Sequence, residues 1–251
     1  MKLTQQQLNT MIKKHNLYLN HEEGGEKLVL IDQDLQGLDF EKQNLAAADL
    51  TGSDFSLANL NRANLRCAKL EGARFAKAKL VGANLELIHG KNTSFVDADM
   101  RHIILRDADL TNADLSFARI SNANLKLANL EKANLSNANL FESDLRYAKM
   151  QDVKIRLTNL LGACVERISY QTIITCNVNL GFAEFSTISY WVEQDLWVSS
   201  IGEGDLELIE DRLAELKDVL DRAEEGRGTK LKASYDRAIQ YIQEEVAQLQ
   251  K

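Results

Sequence analysis

The chain has 251 residues, is 45% hydrophobic, contains no proline and carries a formal net charge of -7, a balance that fits a soluble globular protein. No run approaches the length of apolar sequence that a membrane helix needs, and Lys13 and Lys14 follow too closely on Met11 and Ile12 for an apolar signal region, so the expected location is the cytoplasm and no membrane partner is expected. Cys67, Cys164 and Cys176 have neither metal-like nor redox-like spacing, and an odd count makes a poor disulfide framework.

Residues 1–27 read as a helix and a turn. Over residues 4–17, Thr4 can cap a helix with Gln7 three residues on, and Leu8, Met11, Ile12 and His15 share one face. The stretch from His21 to Glu26 then turns the chain, and Leu28 and Leu30 open the first rung of a long repeat. A repeat structure has raw ends, so this helix is expected to lie across one of them.

From Leu35 to Val165 every fifth residue is Leu, Phe, Met, Ile or Val, in 26 of 27 positions, with Gly90 as the gap; Ala stands two residues earlier in 17 of the 27. A period of five is neither the 3.6 of a helix nor the plain alternation of a flat strand. It suits a solenoid in which each unit makes one short side and then turns a corner. Residues two apart on an extended side point the same way, so Ala and the next Leu or Phe both face inward. Four sides give a coil of 20 residues. One inward column then reads Leu35, Phe55, Phe75, Phe95, Leu115, Leu135 and Ile155, and the next Phe40, Leu60, Leu80, Met100, Ile120, Leu140 and Leu160. The three stacked Phe support that coil length.

The run Ala123-Asn124-Leu125, Ala128-Asn129-Leu130, Ala133-Asn134-Leu135, Ala138-Asn139-Leu140 resembles the pentapeptide repeat family, whose repeat is written A(D/N)LXX. The resemblance implies a mainly β protein, a right-handed quadrilateral parallel β-helix, here over residues 28–190 in about eight coils. It implies no single activity. Members include proteins that protect DNA gyrase from quinolones, cyanobacterial developmental regulators and bacterial effectors, and fold alone does not choose among them.

Gly90 removes an inward side chain, but Ile88 stands where Ala is usual, which restores volume on the same side. His89 and His102 fall on different coils without a carboxylate or thiol at ligand spacing, so no metal is assigned. A rod filled with Ala, Leu and Phe leaves no concave site. The chain has no nucleophile elbow, P-loop or dinucleotide fingerprint, so no catalytic residue and no cofactor are expected. Asp97 with Asp99, and Asp107 with Asp109, occupy outward slots where Asp is a solvated or turn-bonding residue.

Charge bears on partners. Residues 30–190 hold 19 acidic and 18 basic groups. At about 4.8 Å per rung the rod is roughly 38 Å long, and B-DNA of that length carries on the order of 22 negative charges. The rod is therefore no DNA mimic by charge. Direct nucleic-acid binding is not expected either, because Arg62, Arg66, Lys69, Arg74, Lys77 and Lys79 form only a short basic band next to acidic rungs. The outside does carry apolar residues in slots that are normally small or polar. Leu57, Phe117 and Leu157 take the slot two after the inward residue on one side; Leu87, Leu127 and Tyr147 do so on another, and Phe141 is a further case. Leu87, Phe117, Leu127, Phe141 and Tyr147 form the candidate protein-interaction surface.

Past Val165 the repeat decays but keeps phase through Phe185 and Tyr190, and residues 191–204, with Trp191 and Trp197, are expected to cover that end and link to the tail. Residues 205–251 change period. Leu206, Ile209, Leu213, Leu216 and Leu220 make a coiled-coil seam; after a stop at Gly226 and Gly228, a second helix carries Leu231, Tyr235, Ile242 and Leu249. These two helices predict an antiparallel α-helical hairpin whose leftover apolar face covers the rod's end, makes a candidate homodimer contact or binds another protein, and residues 191–251 hold 15 acidic against 8 basic groups. The reading is a non-enzymatic scaffold or regulator that binds a protein partner of unknown identity through the rod, the hairpin or both. The alternative is a factor that protects DNA gyrase, as quinolone-resistance pentapeptide proteins do.

Overall fold

The computed structural model describes residues 3–160 and 163–165, and the backbone of residues 173–176. The expected end cover at residues 191–204 and the expected hairpin at residues 205–251 lie outside the described residues.

The coil length is set by pairing. Val29 bridges Asp49, Asp34 bridges Asp54, Asp39 bridges Asn59 and Asn44 bridges Asn64, all parallel, and the same 20-residue step continues to Asp144 and Cys164. Strand β1 (Val153–Arg156) pairs in parallel with β2 (Ile173–Cys176), Val153 opposite Ile173, which carries the step past Val165. Both expected inward columns are buried throughout. Phe55 and Phe75 stack at 4.7 Å between ring centroids and Phe75 and Phe95 at 5.0 Å, while Phe40 tilts against Phe55 at 5.3 Å and ties two sides of the coil together.

One unit shows why the repeat has its composition. The Leu125 N–H donates to the Asp144 carbonyl at 2.7 Å, Leu127 to Arg146 at 3.0 Å and Asn129 to Ala108 at 2.8 Å, so three amides join neighbouring coils. The Ala128 N–H closes the corner on the Leu125 carbonyl at 3.0 Å. That leaves Lys126, whose N–H donates to the Asn124 side-chain oxygen at 3.1 Å. An Asp or Asn before the inward residue therefore satisfies the one amide that the backbone leaves over. Where Lys79 stands in that slot, the Val81 amide turns instead to Asn61 of the preceding coil at 2.9 Å.

The corner has a cost. A four-residue turn closed in this way with its third residue at positive φ is a type II turn, a position that favours Gly. Gly37, Gly52, Gly72 and Gly82 take it at φ 66 to 69°, but the other described corners use L-residues such as Leu57 (63°), Lys77 (57°), Phe117 (61°) and Leu127 (64°). Each such residue costs on the order of 1 kcal/mol in backbone strain.

Departures from Ala in the small inward slot are accommodated. Ser53, Thr93, Ser143 and Thr158 are buried, and each hydroxyl donates to a carbonyl of the coil before, those of Leu30, Leu70, Ile120 and Leu135. At Gly90 a β-carbon would sit 3.2 Å from the Ile88 δ-carbon, so Ile88 does fill the space that Gly90 leaves.

Helix α1 (Gln5–Leu19) starts at Thr4 with the capping box that the sequence predicts, Thr4 and Gln7 bonding each other's backbone, and runs two residues beyond the predicted end. Leu8 and Ile12 enter the same buried cluster as Leu28 and Leu30 of the first rung, with Met11 packed at its margin. Polar side chains of α1 also meet the open backbone edge of the first coil. The Gln5 amide donates to the Asp39 carbonyl and accepts from the Asp39 N–H, both at 2.8 Å, in the manner of a neighbouring strand. Gly25 lets the returning chain pass the helix end, since a side chain there would run into the main chain of Tyr18. Among the described residues no helix is long and apolar enough to cross a membrane.

Candidate protein-interaction surface

Because residues 20 apart stack, each corner of the rod is a column, and the four columns differ. One holds Ala47, Cys67, Leu87, Asp107, Leu127 and Tyr147; the diagonally opposite one holds Leu57, Lys77, Asp97, Phe117, Asn137 and Leu157. The other two hold polar residues and glycine, for example Lys42, Arg62, His102 and Asn122 in one and Asp32, Asn92, Asn112 and Lys132 in the other. The large apolar residues that take the left-handed corner position thus fall on two of the four edges. They face solvent: Leu57 is 62% exposed, Phe117 56%, Tyr147 and Leu127 41% each, and Leu87 37%.

The structure brings together only part of the predicted surface. Leu127 and Tyr147 are neighbours on adjacent coils, and Leu87 lies on the same edge beyond Asp107. Phe117 belongs to the opposite edge with Leu57 and Leu157. Phe141 is half-buried and sits at the far end of the side that leads to Tyr147, so it shares no corner with either group. Leu206, Ile209, Leu213, Leu216, Leu220, Leu231, Tyr235, Ile242 and Leu249 lie outside the described residues. Other exposed apolar residues of the rod lie outside the expected set, Val29 and Ile31 in the first rung and Ile104 in the middle. Ile104, 38% exposed, stands on the side that leads into the Leu87 and Leu127 edge, in the slot where the coils above and below have Asn84 and Asn124. Its signal is an aliphatic residue in an Asp/Asn slot.

Charges around the Leu127 and Tyr147 pair are engaged locally. Lys126 lies over the Tyr147 ring at 5.7 Å, Arg146 grips Asp144 at 2.6 Å and Arg106 pairs with Asp107 at 3.1 Å. The Arg146 hydrogen bond leads the interactions that hold the Asp144 carboxyl below the usual carboxylate range, against some burial. The acidic pairs do different jobs. Asp97 and Asp107 are left-handed corner residues, whereas Asp99 bonds Arg101 at 2.8 Å and Asp109 accepts from Thr111. Among the described residues no cluster of His, Cys, Asp or Glu has the arrangement of a metal site. A groove of 390 Å³ runs between α1 and residues 26–28, lined by Leu3, Met11, Leu28 and the Lys14–Glu26 ion pair.

Comparisons with known proteins agree with this architecture. The Pentapeptide repeats family model matches eight copies in segments 29–62, 53–89, 68–107, 91–126 and 123–162, together more than half of the chain. No curated protein matches it in sequence. Among solved structures, trypsin-treated QnrB1, a plasmid-mediated fluoroquinolone resistance protein, is 16% identical over 70% of this chain and 97% of its own, with a TM-score of 0.41. The pentapeptide repeat protein alr5209 from Nostoc is 34% identical over 36% of this chain and 75% of its own, at 0.34, and HetL, involved in heterocyst differentiation regulation in Nostoc, is 20% identical over 68% and 92%, at 0.21. The 20-residue coil, the Asp/Asn that serves each corner amide and the matched repeats together place the chain in the pentapeptide repeat family, whose members form right-handed quadrilateral β-helices.

Proposed function

We propose that this protein is a non-enzymatic, cytoplasmic interaction scaffold and that the edge carrying Leu87, Leu127 and Tyr147 is where a protein partner docks. The observation that supports it is the placement of large apolar residues at left-handed corners. A Leu or Tyr there bears both backbone strain and water contact, and Asn or Gly would relieve both. Two edges tolerate that burden and two are free of it. Scattered surface hydrophobes would show no such preference.

The test replaces the burden without harming the fold. Leu127→Asn with Tyr147→Asn is expected to melt at or slightly above the wild-type temperature, since Asn accepts positive φ, and to lose bound protein in affinity capture from the native extract. Lys132→Asn, on a polar edge, is the control and is expected to keep the same catch. Equal catches from the two variants would sink the docking edge. A topoisomerase among the proteins lost would instead favour the gyrase-protecting alternative.

Under the same reading α1 is the end cap of the rod, and residues 205–251 form the helical hairpin and set the oligomeric state. Leu213→Asp with Leu216→Asp is expected to give a folded monomer where the parent chain is a dimer by light scattering. An unchanged mass would remove the seam from that role.

A further inference from the structure

His15 is fully buried, and both of its ring nitrogens are used. Nδ1 accepts from the Leu28 N–H at 3.0 Å, which fixes Nε2 as the protonated nitrogen that donates to the Ala46 carbonyl at 3.0 Å. One tautomer of the neutral ring satisfies this arrangement, and the doubly protonated ring cannot, because Nδ1 then has no lone pair for Leu28. The two partners belong to the first rung and to the corner at Ala46, so this one side chain joins α1 to two separate places on the rod, beside the Gln5 bonds to Asp39 and the burial of Leu8 and Ile12.

We propose that His15 is an acid-sensitive latch: protonation of its ring releases α1 from the first coil and opens the backbone edge that the helix covers.

The surroundings favour the neutral ring. On the helix side, Tyr18 stacks on His15 at 6.0 Å and Lys14 is held by Glu26 at 2.8 Å. On the rod side stand the Leu28 amide, the Ala46 carbonyl and Lys27, while Asp49, which also feels Lys27, is paired with Lys69 at 3.8 Å. No carboxylate among the described residues bonds the ring. Burial lowers the His15 pKa below its usual 6.5, the Ala46 bond opposes that, and the charge of Lys27 adds to it. The released helix therefore takes up a proton more readily than the docked one, so docking is at full strength above the ordinary histidine value and weakens as pH falls through the lower, docked value. Release would free the Leu28 and Asp39 amides together, because Gln5 leaves with the same helix. An uncovered parallel edge of this kind is a template for another strand.

The experiment uses the full chain. Hydrogen exchange at the Leu28 and Asp39 amides, corrected for the intrinsic pH dependence of exchange, is compared with that of Leu105 in the middle of the rod, alongside nitrogen shifts of the His15 ring. Two results are expected between about pH 7.5 and 5. Protection at Leu28 and Asp39 falls by about tenfold or more as the ring titrates, and Leu105 stays protected. In His15→Gln the two edge amides are expected to be less protected than in wild type at neutral pH and to show no further fall with acid. The latch is overturned if the ring titrates without loss of edge protection, if it stays neutral until Leu105 also opens, or if the Gln variant keeps the same acid response.

Discussion

Leu125→Asp is expected to collapse the middle coils. Leu125 is fully buried in a column of its kind, and the slot offers a carboxylate no donor, because every amide around it already serves a coil-to-coil bond or a corner. An unpaired polar or charged group in such a place costs several kcal/mol, against a total stability of about 5–15 kcal/mol for a typical domain. In a solenoid each coil leans only on its neighbours, so the damage spreads outward from coil to coil. Circular dichroism should show a broad, early melt, with hydrogen exchange fastest around Leu105 and Leu145. A sharp melt at the wild-type temperature would mean that Leu125 does not face inward.

Phe75→Ala is the second large effect, with an expected loss of about 3–5 kcal/mol. The ring is stacked from both sides, at 4.7 Å on Phe55 and 5.0 Å on Phe95, so one truncation empties a rung and removes two ring contacts. Those contacts are worth about 0.5–1.5 kcal/mol each beyond the buried area. Phe75→Leu separates the two parts, because it keeps most of the volume and none of the stacking. Denaturant melts should rank wild type above Phe75→Leu and Phe75→Leu above Phe75→Ala; if the first two coincide, stacking contributes nothing.

The coil length is legible in the sequence because an error of one five-residue unit would put Phe55, Phe75 and Phe95 on different sides. The Gly90 and Ile88 exchange is legible for the same reason, since volume is counted along one side. The corner conformation is not. Gly37, Gly52, Gly72 and Gly82 advertise positive φ and Asn and Asp corners tolerate it, while Leu57, Phe117 and Leu127 adopt it because the rungs on either side impose it. Without that knowledge the apolar corner residues look merely unusual in composition, and their strain goes uncounted. Phe141 groups with Tyr147 in the sequence because neighbouring units lie close along the chain; the quadrilateral cross-section puts the two at opposite ends of a side. By its spacing His15 is one member of an apolar helix face, and the two backbone groups it joins come from 13 and 31 residues further along the chain, beyond any local pattern.

The 20-residue step has a consequence for how such a chain can change length. Loss of one whole coil, for example residues 91–110, would shorten the rod and leave every column aligned above and below the cut. Loss of a single unit of five would leave the inward pattern equally intact, and the rod would still close. Everything after the cut, however, would be turned by a quarter about the long axis. A five-residue deletion between Leu87 and Leu127 would thus carry Leu127 and Tyr147 to a different edge from Leu87 with no damage to the core. Length in this protein is tolerant in units of five, while the alignment of its outer faces is inherited only in units of twenty.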